Sequence, residues 1–251
     1  MARLEGWSAL ALCSAMTDSG VEAATNLLRA YVHDQAIRPD PNYFYWHSGV
    51  YIVIDCVFSA QAKYENMVLP ILRERLPQRA GLLDEPDLTF SRFIESVDRI
   101  ASTDERFERY AGEVLGNRQK IGRRLKAQIA YEVCRFFVQR DLQTMADLKA
   151  VPDDALDTMI LDDLVGGVYG IGPVLARYLM LLIGREDHVK PDTMLVRLFG
   201  RLGDWKPRLG HHDDMERIRT AITQVANEIG TTPARLDNAL WFAESTRARG
   251  S

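Results

Sequence analysis

The chain has 251 residues, 47% of them hydrophobic, and a formal net charge of −4 at neutral pH, enough apolar material for one large or two small domains with a substantial core. The acidic sum argues against a chain that holds nucleic acid through its overall charge, because such binders are often basic. Three scattered cysteines, Cys13, Cys56 and Cys134, argue against a disulfide framework or a metal spacing and for a reducing compartment.

Apolar residues recur at helical spacing over residues 8–32, which predicts a helix ending at the turn cluster Pro39-Asp40-Pro41-Asn42. A dense aromatic group follows, Tyr43, Phe44, Tyr45 and Trp46 with His47; such residues usually pack a core, and stacking on a flat ligand is their other use. The run Val50-Tyr51-Ile52-Val53-Ile54 has the composition of a buried strand. Asp55 lies inside this apolar run, where an unpaired charge is costly, so it is either tied to a partner or held protonated. Helical periodicity returns over residues 90–100 and 125–140. Between these, Arg118, Lys120, Arg123, Arg124 and Lys126 form a basic cluster with no acid inside it, either a solvated helix face or a phosphate-contacting patch.

Residues 164–184 are strongly apolar, but Gly166-Gly167 and Gly170-Ile171-Gly172-Pro173 would break a membrane-spanning helix, so neither a transmembrane segment nor a cleavable signal peptide is expected. The glycines make a tight turn that opens a helix at Pro173, whose missing N–H costs nothing at a first helical position. The N–H groups of Gly170, Gly172 and Val174 would then face outward at the positive end of the helix dipole, where a phosphate oxygen is a natural ligand and no base is read. Lys190-Pro191-Asp192 stands before another apolar run, and Asp192 reads locally as an N-cap. A last periodic stretch covers residues 215–229, and the expected fold is all-α.

Three blocks together resemble one family. Gly170-Ile171-Gly172 with Asp192, the helix end Ser59-Ala60-Gln61-Ala62, and the turn with a lysine-bearing helix at residues 116–127 are similar to the helix-hairpin-helix Gly/Pro-Asp superfamily of DNA glycosylases, whose members include endonuclease III. The likeness spans roughly residues 46–202 and implies a helical barrel domain at 46–184, with its hairpin at about 164–184. Residues 1–45 plus 185–251 would form a second helical lobe carrying the catalytic aspartate, with DNA across the cleft between them.

The resemblance also assigns roles. Asp192 takes the place of the essential carboxylate, and Gln61 that of the residue filling the gap left by a flipped nucleotide. Asp55, six residues before Gln61, corresponds to the acid of adenine-excising relatives that protonates the departing base. Val174 stands where bifunctional members carry a nucleophilic lysine, and Lys190 is displaced to a phosphate-contacting place, which implies hydrolysis of the base without strand cleavage. Tyr178 matches a pocket aromatic of alkylpurine glycosylases, with core packing an equal alternative, and Tyr45, Trp46 and His47 are further pocket candidates.

No cofactor is expected, since nothing after Cys134 could ligate the iron–sulfur cluster of many relatives; the resemblance leaves room for a structural monovalent cation at the hairpin. The expected partner is double-stranded DNA, bound by a monomer in the cytoplasm, with no membrane involved. Two other readings stay open: a noncatalytic helix-hairpin-helix protein that recognises distorted or modified duplex, and excision of modified bases from invading rather than host DNA.

Overall fold

The computed structural model describes residues 9–41, 46–103 and 105–250, with side chains from residue 19 to 247 within those bounds. The protein is all-α. In chain order the helices are α1 (Ala9–Asp34), α2 (Gly49–Ser59), α3 (Phe90–Asp98), α4 (Glu105–Arg109), α5 (Lys126–Val138), α6 (Met145–Ala150), α7 (Asp153–Asp157), α8 (Val165–Gly167), α9 (Pro173–Ile183), α10 (Thr193–Leu202), α11 (His212–Glu228) and α12 (Pro233–Gly250). Wider π-helical turns occur at Tyr64–Val68, Ile71–Ala80, Tyr110–Val114 and Thr158–Leu164. Among the described residues the strands are β1 (Lys120–Ile121) and β2 (Arg124–Leu125), an antiparallel pair joined by Gly122 and Arg123. No described helix is long and apolar enough to cross a membrane.

The chain divides into two compact units, Met1–Tyr43 with Glu186–Ser251, and Phe44–Arg185. In the continuous unit, α2 is the central rod. Every residue from Gly49 to Phe58 is buried, and α5 and α9 pack on it. A helix buried on all sides needs no polar stripe, so its apolar run shows neither the period of a strand nor that of a surface helix. What starts it as a helix is its cap. The Ser48 side chain accepts from the Val50 and Tyr51 N–H groups at 3.1 and 3.4 Å, while Asp84 accepts from the Ser48 N–H at 2.8 Å. Ser48 is fully buried, and replacing it with alanine is expected to cost about 1 kcal/mol, seen as a lower urea midpoint at unchanged slope. Phe90 on α3 and Phe137 on α5 stack with ring centroids 5.1 Å apart, which joins the two periodic segments of the sequence into one core.

The discontinuous unit has its own core, built on α1, α10, α11 and α12. Leu28 of α1 and Ile222 and Val225 of α11 are fully buried in it. Thr25 donates to the Gln224 side chain at 2.7 Å, and the Arg29 fork meets both Glu228 oxygens at 2.6 Å on the exposed rim. Glu244 of α12, 5% exposed, receives a fork from Arg201 at 2.7 and 2.8 Å and the Tyr31 hydroxyl at 2.5 Å. A buried carboxylate is tolerated there because all these donors converge on it.

Candidate functional site

Asp55, one turn before the end of α2, is 1% exposed and gathers three donors. Its Oδ2 accepts from the Trp46 indole N–H at 2.7 Å and the Tyr64 hydroxyl at 2.6 Å, and its Oδ1 accepts from the Tyr178 hydroxyl at 2.9 Å. Tyr178 reaches it from α9, Tyr64 from the π-helical turn after α2, and Trp46 from the segment before it. Donors on three sides favour an ionised acceptor, because the indole can only donate and the hydroxyls donate to a carboxylate in preference. Asp55, expected from its spacing to Gln61 as the acid that protonates a departing base, is thus enclosed by these donors. Trp46 and Tyr178, expected as pocket aromatics, both donate to it. Tyr64 was not anticipated, and its nine-residue separation from Asp55 carries no local signal.

Four residues after Val57, Gln61 is exposed and has φ of +52°. It is the third residue of a tight turn closed by the Ala62 N–H on the Ser59 carbonyl at 3.3 Å, a place where a left-handed backbone is required. The residues before it are gripped by Lys126, the first residue of α5. Its ammonium donates to the Phe58 and Ala60 carbonyls at 3.0 and 2.6 Å and to the Gln119 side chain at 2.9 Å. These carbonyls end α2, where the helix dipole is negative and a cation is favoured. Lys126 was expected in the exposed basic cluster; it is 2% exposed, because its stem runs through the core and its head finds these acceptors inside. Burial lowers its pKa to about 8.

The basic segment and the glycine turn meet directly. Gly122, φ +58°, occupies the first position of the two-residue β1–β2 turn, and a Cβ there would lie 2.2 Å from the Tyr169 hydroxyl oxygen. Tyr169 accepts weakly from the Arg123 N–H at 3.4 Å, and the Arg124 guanidinium lies 5.1 Å from its ring centre. Gly170 needs its φ of +91°, and a Cβ there would come within 2.7 Å of Ile129 on α5. Gly172 caps α9 with no side-chain acceptor, Pro173 follows at the first helical position, and the space beside Gly172 is open. Val174 is half-buried at the next position. The first free N–H groups of α9 therefore stand at an open helix start.

Charge in this region is less than the sequence promises. Arg118 and Lys120 each lie 3.9 Å from Glu108, and Arg124 pairs with Glu132 at 2.5 Å. The acids come from α4 and α5, outside the basic run, so linear sequence hides them. Arg123 is exposed at the turn, with no ion pair among the described residues. His47 is exposed and its N–H donates to Asp84 at 3.2 Å, and Tyr45 lies outside the described residues.

Asp192 belongs to the discontinuous unit. It is the N-cap of α10, half-buried, its Oδ1 accepting from the Met194 and Leu195 N–H groups at 2.8 and 3.2 Å. Beside it stands Asp237 of α12, 7% exposed, which accepts the Lys190 backbone N–H at 2.8 Å and so ties down the segment leading to Asp192. Burial raises the Asp237 pKa to about 7, with the Lys190 N–H opposing and the Asp192 charge adding. The folded protein then keeps a proton that the unfolded chain loses near pH 4, so stability falls as pH rises from about 4 to about 7 and is level above. Asp237→Asn is expected to remove that fall. Urea midpoints for both proteins across this window check it, and parallel curves would refute it.

No curated protein and no solved structure matches the chain. The model of one family does match it, over residues 11–245. The chain belongs to the family described as Domain of unknown function (DUF8548).

Proposed function

We propose that this chain is a monofunctional DNA glycosylase of the helix-hairpin-helix Gly/Pro-Asp type, which flips a damaged or modified base out of duplex DNA and hydrolyses its N-glycosidic bond. One observation carries the reading. Within the continuous unit, three segments that resemble the family lie together: Lys126 links the Gln61 turn to Gln119, and Tyr169 and Gly170 seat the glycine turn against Gly122 and Ile129.

In this reading the open start of α9 and Arg123 hold phosphates without reading sequence. Gln61 occupies the space of the flipped nucleotide. The bond breaks with its electron pair leaving on the base, which takes a proton from solvent water as it departs, and positive charge develops on the sugar. Asp192, ionised at its helix start, faces that charge and takes the proton of the water that adds at the anomeric carbon. Asp55 acts through what it holds, fixing Trp46, Tyr64 and Tyr178. Val174 cannot form a Schiff base, so an intact strand bearing an abasic site is the product.

A panel of duplexes carrying alkylated, oxidised, deaminated, mismatched and hypermodified bases tests this. Strand breaks that need alkali treatment are the expected result; breaks without alkali would refute the monofunctional assignment. A second reading, a noncatalytic recogniser of distorted or modified duplex, is favoured by one observation, that Asp192 serves as the N-cap of α10. Tight duplex binding with no abasic sites on any substrate would establish it instead.

A further inference from the structure

We propose that Lys126 is the positioning residue of the Gln61 turn, a buried cation that locks the end of α2 so that Gln61 is presented in its left-handed backbone, ready to enter a duplex. The inference rests on the reading of Gln61 as the residue that replaces a flipped nucleotide. Its structural half stands on geometry alone.

Three observations carry it. The ammonium has no carboxylate partner among its hydrogen bonds; all three go to neutral oxygens, two of them the carbonyls of Phe58 and Ala60, immediately before Gln61. A lysine buried in this way is a poor choice for stability, since burial disfavours its charge and an apolar side chain would fill the same volume without that cost. Here the cost is set against what the ammonium fixes. Finally, Gln61 is exposed at φ +52° in a turn closed by the Ala62 N–H on the Ser59 carbonyl, and the ammonium grips the carbonyls on either side of Ser59, so it braces that turn. Gln119 completes the clamp: it accepts from the ammonium, and its own carbonyl accepts the Lys126 backbone N–H at 2.9 Å.

The test uses the full chain as wild type, Lys126→Met, Gln119→Ala, Gln61→Ala and the Gln61→Ala/Lys126→Met double variant. Amide hydrogen exchange of the free proteins reads the turn, and 2-aminopurine fluorescence in a duplex reads unstacking of a base. Lys126→Met is expected to speed exchange at residues 59–63 by about tenfold or more while the core of α5 stays protected, and Gln119→Ala to do the same to a lesser degree. Gln119→Ala keeps the proposal testable if the methionine variant fails to fold. The 2-aminopurine signal is expected to fall in Lys126→Met as far as in Gln61→Ala, with no further loss in the double variant, because one acts through the other. Unchanged exchange at residues 59–63 in both clamp variants would overturn the proposal. So would additive losses in the double variant. Faster exchange in a protein whose wild type leaves 2-aminopurine silent would uphold the clamp and overturn the DNA reading of Gln61, so the two fail separately.

Discussion

Asp192→Asn should lower base release by on the order of 10³-fold while the protein stays folded and bound to DNA. The substitution separates the cap that the structure shows from the catalytic role proposed above. As an N-cap, Asp192 accepts from the Met194 and Leu195 N–H groups through one oxygen, and asparagine caps nearly as well as aspartate. The cap is therefore retained, at a cost below about 1 kcal/mol for the lost charge at the helix start. What asparagine cannot do is stabilise a developing oxocarbenium ion with a full negative charge, or take a proton from water. Abasic-site yield in single turnover, with duplex affinity measured alongside, decides the matter. A variant that releases base at the wild-type rate would remove Asp192 from the chemistry and leave it a cap.

The largest expected loss of stability is at Asp55. Asp55→Ala leaves the Trp46 indole N–H and the hydroxyls of Tyr64 and Tyr178 facing an apolar gap. The three donors belong to half-buried residues, so water can reach part of what the carboxylate leaves, and the hydroxyls can turn to other acceptors where the indole cannot; a loss of about 1–3 kcal/mol is expected. Asp55→Asn should cost less but not nothing, because its amide offers one acceptor oxygen where the carboxylate offers two. The urea midpoint reports the loss, and the environment of Trp46 shifts with it. If Asp55→Asn instead keeps full stability and loses only base release, the carboxyl is a proton donor to the base rather than an anchor.

The all-α character was legible because it is a local property. Residues 90–100 and 125–140 repeat apolar positions at helical spacing, and α3 and α5 form there. Where burial is two-sided the period vanishes: propensity alone left Val50 to Ile54 open to a strand, the family resemblance made it a helix, and a helix capped by Ser48 is what forms. Asp192 as a cap was visible from its place before an apolar run. The pairing of charges was not. Glu108 and Glu132, which flank the basic run in sequence, lie beside Arg118 and Arg124, and Lys126 leaves its exposed-looking basic run for the interior. Tyr64 joins Asp55 only because the π-helical turn after α2 folds it back. A sequence shows which side chains can carry charge or donate a proton; it does not show which of them the fold has already used.

The unit formed by both ends of the chain has a temporal consequence. α1 is made well before α11, on which it packs, and Thr25 and Gln224 are 199 positions apart. Phe44–Arg185 is continuous and can complete its core while the remainder of the chain is still being made. Until then the buried face of α1, with Leu28 and Val32, has no native surface to cover it. Closing so long a loop is slow when the intervening chain is free and easier once that chain has condensed. A helix made before the whole continuous unit thus finds its place only after that unit, and loss of α11 would strand it.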